Sequence, residues 1–349
     1  MFTNLQVGRI VAASLVLVFH AGFYGWYVLG TNNPMTGPTW AYWFRTTVVF
    51  LFALSGFVLA HSFQKTTLRG FVWHRLLRLF PTYWAALLIV LAFWYAFNPP
   101  PFGRRNLVYA FALWPGGPGK AASILHVEWT LVYELFLSLA IVPLAAFGRR
   151  RGLGVGVGIW LLLCLAKQVY EPGREIAWHP RASQLPLSVV NVPFLLGVLV
   201  YLAPRPRGRL RWIVLSVAAV ALTVGGEYVE SAQNVCYLLQ SLAAALLVAF
   251  LVVGPQLPAK NWPVVAGDWS YGVYLLHASI LFGFFTVLWW WGVEGSAAIV
   301  IFGGVLALVL SAIFGVLENR GSRRLRKWLA RKPAAPSPIP APARSGRAA

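Results

Sequence analysis

Two basic side chains interrupt the first apolar stretch, GRIVAASLVLVFHAG at residues 8–22: Arg9 near its start and His20 near its far end. A helix turns about 100° per residue, so positions 11 apart lie about 20° from one face and roughly 16 Å apart along the axis. If Arg9 marks an aqueous edge, His20 sits near mid-bilayer. A buried imidazole there is costly unless it has a partner or lines a wet cavity, and intramembrane ionisable residues are functional by default. The competing reading is a hydrogen bond that only joins helices.

Arg75 and Arg78 stand in RGFVWHRLLRLFPTYW, residues 69–84. Three apart, they share a helical face, and two guanidiniums can grip phosphate oxygens bidentately. A first cytoplasmic loop would also carry positive charge for topology alone. Pro81 is well placed for the first turn of the following span. Glu134, in HVEWTLVYELFLSL at residues 126–139, falls about a turn and a half into an apolar segment. An unpaired carboxylate is costly there, so it should pair with an arginine, orient a histidine or carry a proton. His126 and Glu128 read as solvated loop residues. In SYGVYLLHASI, residues 270–280, Ser270, Tyr274 and His277 form one helical stripe. Such a seam joins helices or lines a substrate passage. Ser55 and Gly56 in LFALSGFVL read as a close helix contact, and Arg45 as a snorkelling side chain. His179, Arg181 and Glu175 fall in an outer loop, where a polar acceptor could meet them.

The elements that must hold these groups are membrane helices. Of 349 residues, 59% are hydrophobic and only 11% charged, too few charges to cover a soluble domain of this length. Ten candidate spans follow from apolar runs at 10–29, 44–62, 81–97, 129–147, 153–169, 186–203, 212–226, 234–253, 269–288 and 296–317. The window at 106–114 is too short to cross. The first span lacks a basic leader and a small-x-small cleavage site, and is expected to be retained. With the N-terminus inside, 22 of the 29 Lys and Arg fall on the cytoplasmic side, which places both termini there. The net charge of +20 is spread through short clusters between apolar runs, a topological pattern and not a nucleic-acid surface. Cys164 and Cys236 both lie in apolar runs, so neither a disulfide framework nor a zinc site is expected. The expectation is an all-α, polytopic protein: one membrane-embedded unit over 1–330, then a Pro/Ala-rich disordered tail over 331–349.

In this order, the stretches resemble the integral-membrane acyltransferase-3 family, which includes O-antigen and other sugar O-acetylases. Arg9 and His20 match its Arg-ten-His spacing, and Leu54 to Phe57 its LSGF segment. Arg75, Arg78, Pro81, Tyr83 and Trp84 match its RxxR loop with Pro and an aromatic pair. Trp129 to Leu131 with Glu134 match WSLxxE, and Ser270 to His277 match SYxxYLLH. Val49 replaces an acidic residue often found before LSGF, Thr130 replaces the serine of WSL, and Glu318-Asn319-Arg320 lacks the proline of the family's E-x-P.

The resemblance implies a multi-pass enzyme of a bacterial cytoplasmic membrane. It would move an acyl group, acetyl in the simplest case, from cytoplasmic acyl-CoA to a hydroxyl of a carbohydrate, glycolipid or glycosylated small molecule, without a metal. Arg9, Arg75 and Arg78 would hold the donor's phosphates. His20 would be the general base, with Glu134 orienting it or balancing an arginine. Ser270, Tyr274 and His277 would contact the acceptor or the oxyanion. A covalent acyl-histidine stays open. The rival reading is a proton-coupled transporter or flippase with His20, Glu134 and His277 as relay; the chain lacks the inverted repeats that would favour it.

Overall fold

The computed structural model describes residues 2–31, 38–97, 103–117, 124–144, 150–171, 179–204, 209–228 and 233–330. The expected tail at 331–349 and Glu175 lie outside the described residues. Among the described residues there are twelve α-helices: α1 (Thr3–Leu29), α2 (Pro38–Phe63), α3 (Leu68–Phe97), α4 (Arg104–Ala112), α5 (Glu128–Leu144), α6 (Arg151–Tyr170), α7 (Asn191–Leu202), α8 (Arg209–Tyr228), α9 (Gln233–Val253), α10 (Trp262–Gly267), α11 (Ser270–Trp290) and α12 (Ala297–Ala330). Extended pairing is confined, among the described residues, to one isolated bridge between Gly116 and Arg181.

Apolar sequence makes these helices because every backbone polar group in hydrocarbon must be satisfied within the segment. Seven of the described helices are long and apolar enough to cross a bilayer, namely α1, α2, α3, α6, α9, α11 and α12. Their outward faces are apolar as well. Leu162 on α6 and Ile301 on α12 are each 67% exposed, a surface that suits lipid and not water. The protein is therefore a multi-pass membrane protein. Glycine ends α1 cleanly: Gly30 adopts φ 66°, and its N–H reaches the carbonyls of Gly25 and Trp26.

Helices α1, α2, α7, α9 and α11 form the centre of the bundle. Two crossings bring backbones into contact. A Cβ at Gly56 of α2 would strike the Phe194 backbone of α7, and one at Gly197 of α7 would strike the Ala53 backbone of α2. The expected close contact at Gly56 is thus a contact with α7. Gly272 of α11 meets Gly315 of α12 in the same way.

Two expected boundaries shift. Pro81 does not open a span: α3 runs unbroken from Leu68 with Pro81 inside it, so the arginine pair lies on the same helix as the span. The missing N–H leaves the Leu77 carbonyl without its helical donor. The segment expected at 186–203 becomes helical only at Asn191, giving a 12-residue helix of about 18 Å that cannot cross the hydrocarbon alone. Its approach, 182–190, is a short 3-10 turn and bends, anchored by Asn191 Nδ2 donating to the Leu185 and Pro186 carbonyls. Helix α5 is described over Glu128–Leu144, and the expected end of that span at 147 lies outside the described residues. The window at 106–114 is the short helix α4.

Candidate functional site

The N-terminal end of α1, the C-terminal half of α2 and the N-terminal halves of α3 and α11 gather at one end of the bundle. Between them and α5 lies a cavity of about 120 Å³. Arg9, Arg75, Arg78, Glu134, Ser270 and Tyr274 all line it. These six came from four separate sequence segments, and the fold puts them around one space.

The cavity is electropositive. Among the described residues Glu134 is its only carboxylate, against three guanidiniums. That carboxylate is taken by Arg75, which also donates through Nε to Ser138 Oγ at 2.8 Å. Ser138 in turn donates to the Glu134 carbonyl at 2.6 Å, one helical turn back, and Ser55 Oγ stands 3.4 Å from Glu134. Arg9 reaches Gln6 Oε1 at 3.4 Å. Gln6 leads to Asp268, which pairs with Arg323 of α12 at 3.0 Å on the rim. Arg78 has neither a hydrogen bond nor an ion pair among the described residues, and its side chain is exposed. A guanidinium held open beside two others is a ready anion site.

Further along α1 lies His20. Its Nδ1 is 2.9 Å from His277 Nε2 on α11. The ring stacks on Tyr24 at 5.5 Å between centroids and meets Phe44 edge-on at 5.0 Å. Tyr274 connects the two levels. It lines the cavity, packs its ring 5.9 Å from that of His277, and donates its hydroxyl to Thr130 Oγ1 at 2.9 Å. Thr130, where the family has serine, thus keeps the hydroxyl in use. Ser270 donates to the Gly267 carbonyl at 2.7 Å.

Of the alternatives open to Glu134, pairing with an arginine is the one seen: it binds Arg75, while the partner of His20 is His277. Other surroundings differ from expectation. His126 and Glu128 are not solvated: Glu128 is 5% exposed, and the His126 ring packs against Tyr24 and Phe282. The turn at 124–127 and the first residue of α5 fold inward, with His126 against Tyr24. Arg45 does not simply snorkel; it donates to Gln240 Oε1 at 2.9 Å and to Cys236 Sγ at 2.7 Å on α9. Arg181 packs against Gly117 and bridges to Gly116, and it does not line the cavity. Ser138, Gln6 and Asp268 were missed by sequence reading. Ser138 had a signal, being four residues from Glu134 on one face; Gln6 and Asp268 had none.

A family model described as an acyltransferase domain matches residues 2–316, nearly the whole chain and every residue of the cavity and of the histidine pair. No curated protein and no solved structure is significantly similar to the chain.

Proposed function

Because the chain belongs to the acyltransferase-3 family of membrane acyltransferases, we propose that it transfers an acyl group, acetyl in the simplest case, from acyl-CoA to a hydroxyl of a carbohydrate or glycosylated acceptor at a bacterial cytoplasmic membrane. The observation that carries this reading is one helix face. Arg9 and His20 lie on it roughly 16 Å apart, the first in a cationic cavity and the second paired with His277. That arrangement suits a donor with phosphates at one end and a thioester at the other.

The cavity, at about 120 Å³, is smaller than a typical ligand pocket. It admits a phosphate or a slender chain and leaves the nucleotide outside. Arg78 and Arg9 take the phosphates, with Arg75 held in place by Glu134. The pantetheine arm then extends past Tyr274 towards His20. His20 accepts the proton of the acceptor hydroxyl as its oxygen attacks the thioester carbonyl. The C–S bond breaks, and the departing thiolate recovers the proton from the imidazolium. The ester and free CoA are the products.

The test uses purified protein in nanodiscs with radiolabelled acetyl-CoA and candidate glycan acceptors. His20→Ala removes a general base and is expected to cost about 10²–10⁴-fold in kcat. Unchanged turnover by that variant ends the base assignment. Proton-coupled flux into liposomes without any acyl-CoA would replace the enzyme reading by a transporter.

A further inference from the structure

We propose that His277 is a positioning residue which fixes His20 in the tautomer protonated at Nδ1 and so presents the Nε2 lone pair to the substrate. The proposal rests on the general-base reading of His20 and adds which nitrogen acts and what sets it.

The chain of reasoning starts at a carbonyl. His277 is wholly buried, and its Nδ1 lies 3.0 Å from the Val273 carbonyl oxygen, one turn back on α11. A carbonyl only accepts, so Nδ1 carries the hydrogen. In a neutral ring Nε2 is then a lone pair. That lone pair faces His20 Nδ1 at 2.9 Å, so His20 Nδ1 must donate. Free histidine in water prefers the opposite tautomer, so the protein imposes this one.

Both nitrogens of His277 are thereby occupied, and none is left for an acceptor. The ring of His20 cannot turn to exchange its nitrogens, because Tyr24 stacks on it and Phe44 abuts its edge. Among the described residues neither ring has a carboxylate partner, since Glu134 is bound to Arg75. The dyad is therefore neutral at rest. When His20 takes a proton at Nε2, His277 offers a lone pair to the Nδ1–H but no counter-charge. The proton is held loosely and returned to the thiolate.

The first measurement needs no activity. Histidine labelled with ¹⁵N in the intact wild-type protein reports the tautomer, with His20 and His277 assigned from the signals lost in His20→Ala and His277→Leu. Both rings are expected with hydrogen on Nδ1; hydrogen on Nε2 of His20 overturns the proposal. The second is kinetic. His277→Leu is expected to lower kcat about 10²-fold with KM for acetyl-CoA unchanged, the pattern of a transition-state defect. His277→Gln, whose amide oxygen can accept from His20, recovers at least about a tenth of kcat. Full activity of His277→Leu also overturns it. Failure of the base reading looks different: His20→Ala would stay active whatever the tautomer.

Discussion

Arg78 and Arg75 are three residues apart on one helix, yet their surroundings give them different work. Arg75 is spent on Glu134 and Ser138, so its loss would strand a carboxylate and confuse a binding defect with a folding defect. Arg78 has no such partner among the described residues and is exposed. Its removal is the cleaner probe of donor binding. Arg78→Ala is expected to raise KM for acetyl-CoA about 10-fold, the size of one lost charge-assisted contact of about 1.5 kcal/mol. The melting temperature and kcat should stay near wild type. Initial rates at varied donor, with a melting curve in detergent, check this; an unchanged KM removes Arg78 from the donor site. What was legible at this scale follows from distance along the chain. The Arg9–His20 alignment is a property of one helix and could be read from spacing. The pairings of His20 with His277 and of Arg75 with Glu134 join residues 257 and 59 positions apart, and no single sequence states which helices touch.

At the scale of elements, apolar runs located the helices well, because burial in lipid forces helical hydrogen bonding. The misplaced boundaries have local causes. A proline is favoured in the first turn of a helix, but α3 carries Pro81 through its interior with tertiary support from the two residues after it: Tyr83 donates to the Ala110 carbonyl and Thr82 to Glu318. Helix α7 is short because Asn191 ties its start to the preceding turn. It nonetheless sits at the centre, pressed backbone-to-backbone on α2 at Gly197 and Gly56. This crossing holds Ser55 of α2 beside Glu134. Gly197→Ala places a methyl group against the Ala53 backbone, which cannot rotate away as a side chain would. The expected cost is about 1–3 kcal/mol of overpacking. A lowered melting temperature in nanodiscs, with reduced acyl transfer even below it, is the expected result. Gly158, whose Cβ position meets nothing, is the control. Equal melting of the Gly197→Ala and Gly158→Ala proteins would refute a backbone contact between α2 and α7.

For the whole molecule, the decisive variable is which end of the bundle faces the cytoplasm, since the proposed CoA donor is cytoplasmic and the cationic cavity lies at the Arg9 end of the Arg9–His20 axis. The count of basic residues predicts the N-terminus inside. The loop between α2 and α3 lies at the same end as the cavity, and the turn after α11 at the opposite end. Lys65 in the first and Glu294 in the second are exposed. The native thiols give little background, because Cys164 and Cys236 are both fully buried. Single substitutions Lys65→Cys and Glu294→Cys therefore report orientation directly. In intact spheroplasts a membrane-impermeant maleimide should label Glu294→Cys at once and Lys65→Cys only after lysis. The reverse pattern would turn the arginine cavity away from the CoA pool. A phosphate-bearing donor could then not reach Arg9, Arg75 and Arg78 from the cytoplasm, and the acyl group would have to come from a donor on the other side of the membrane.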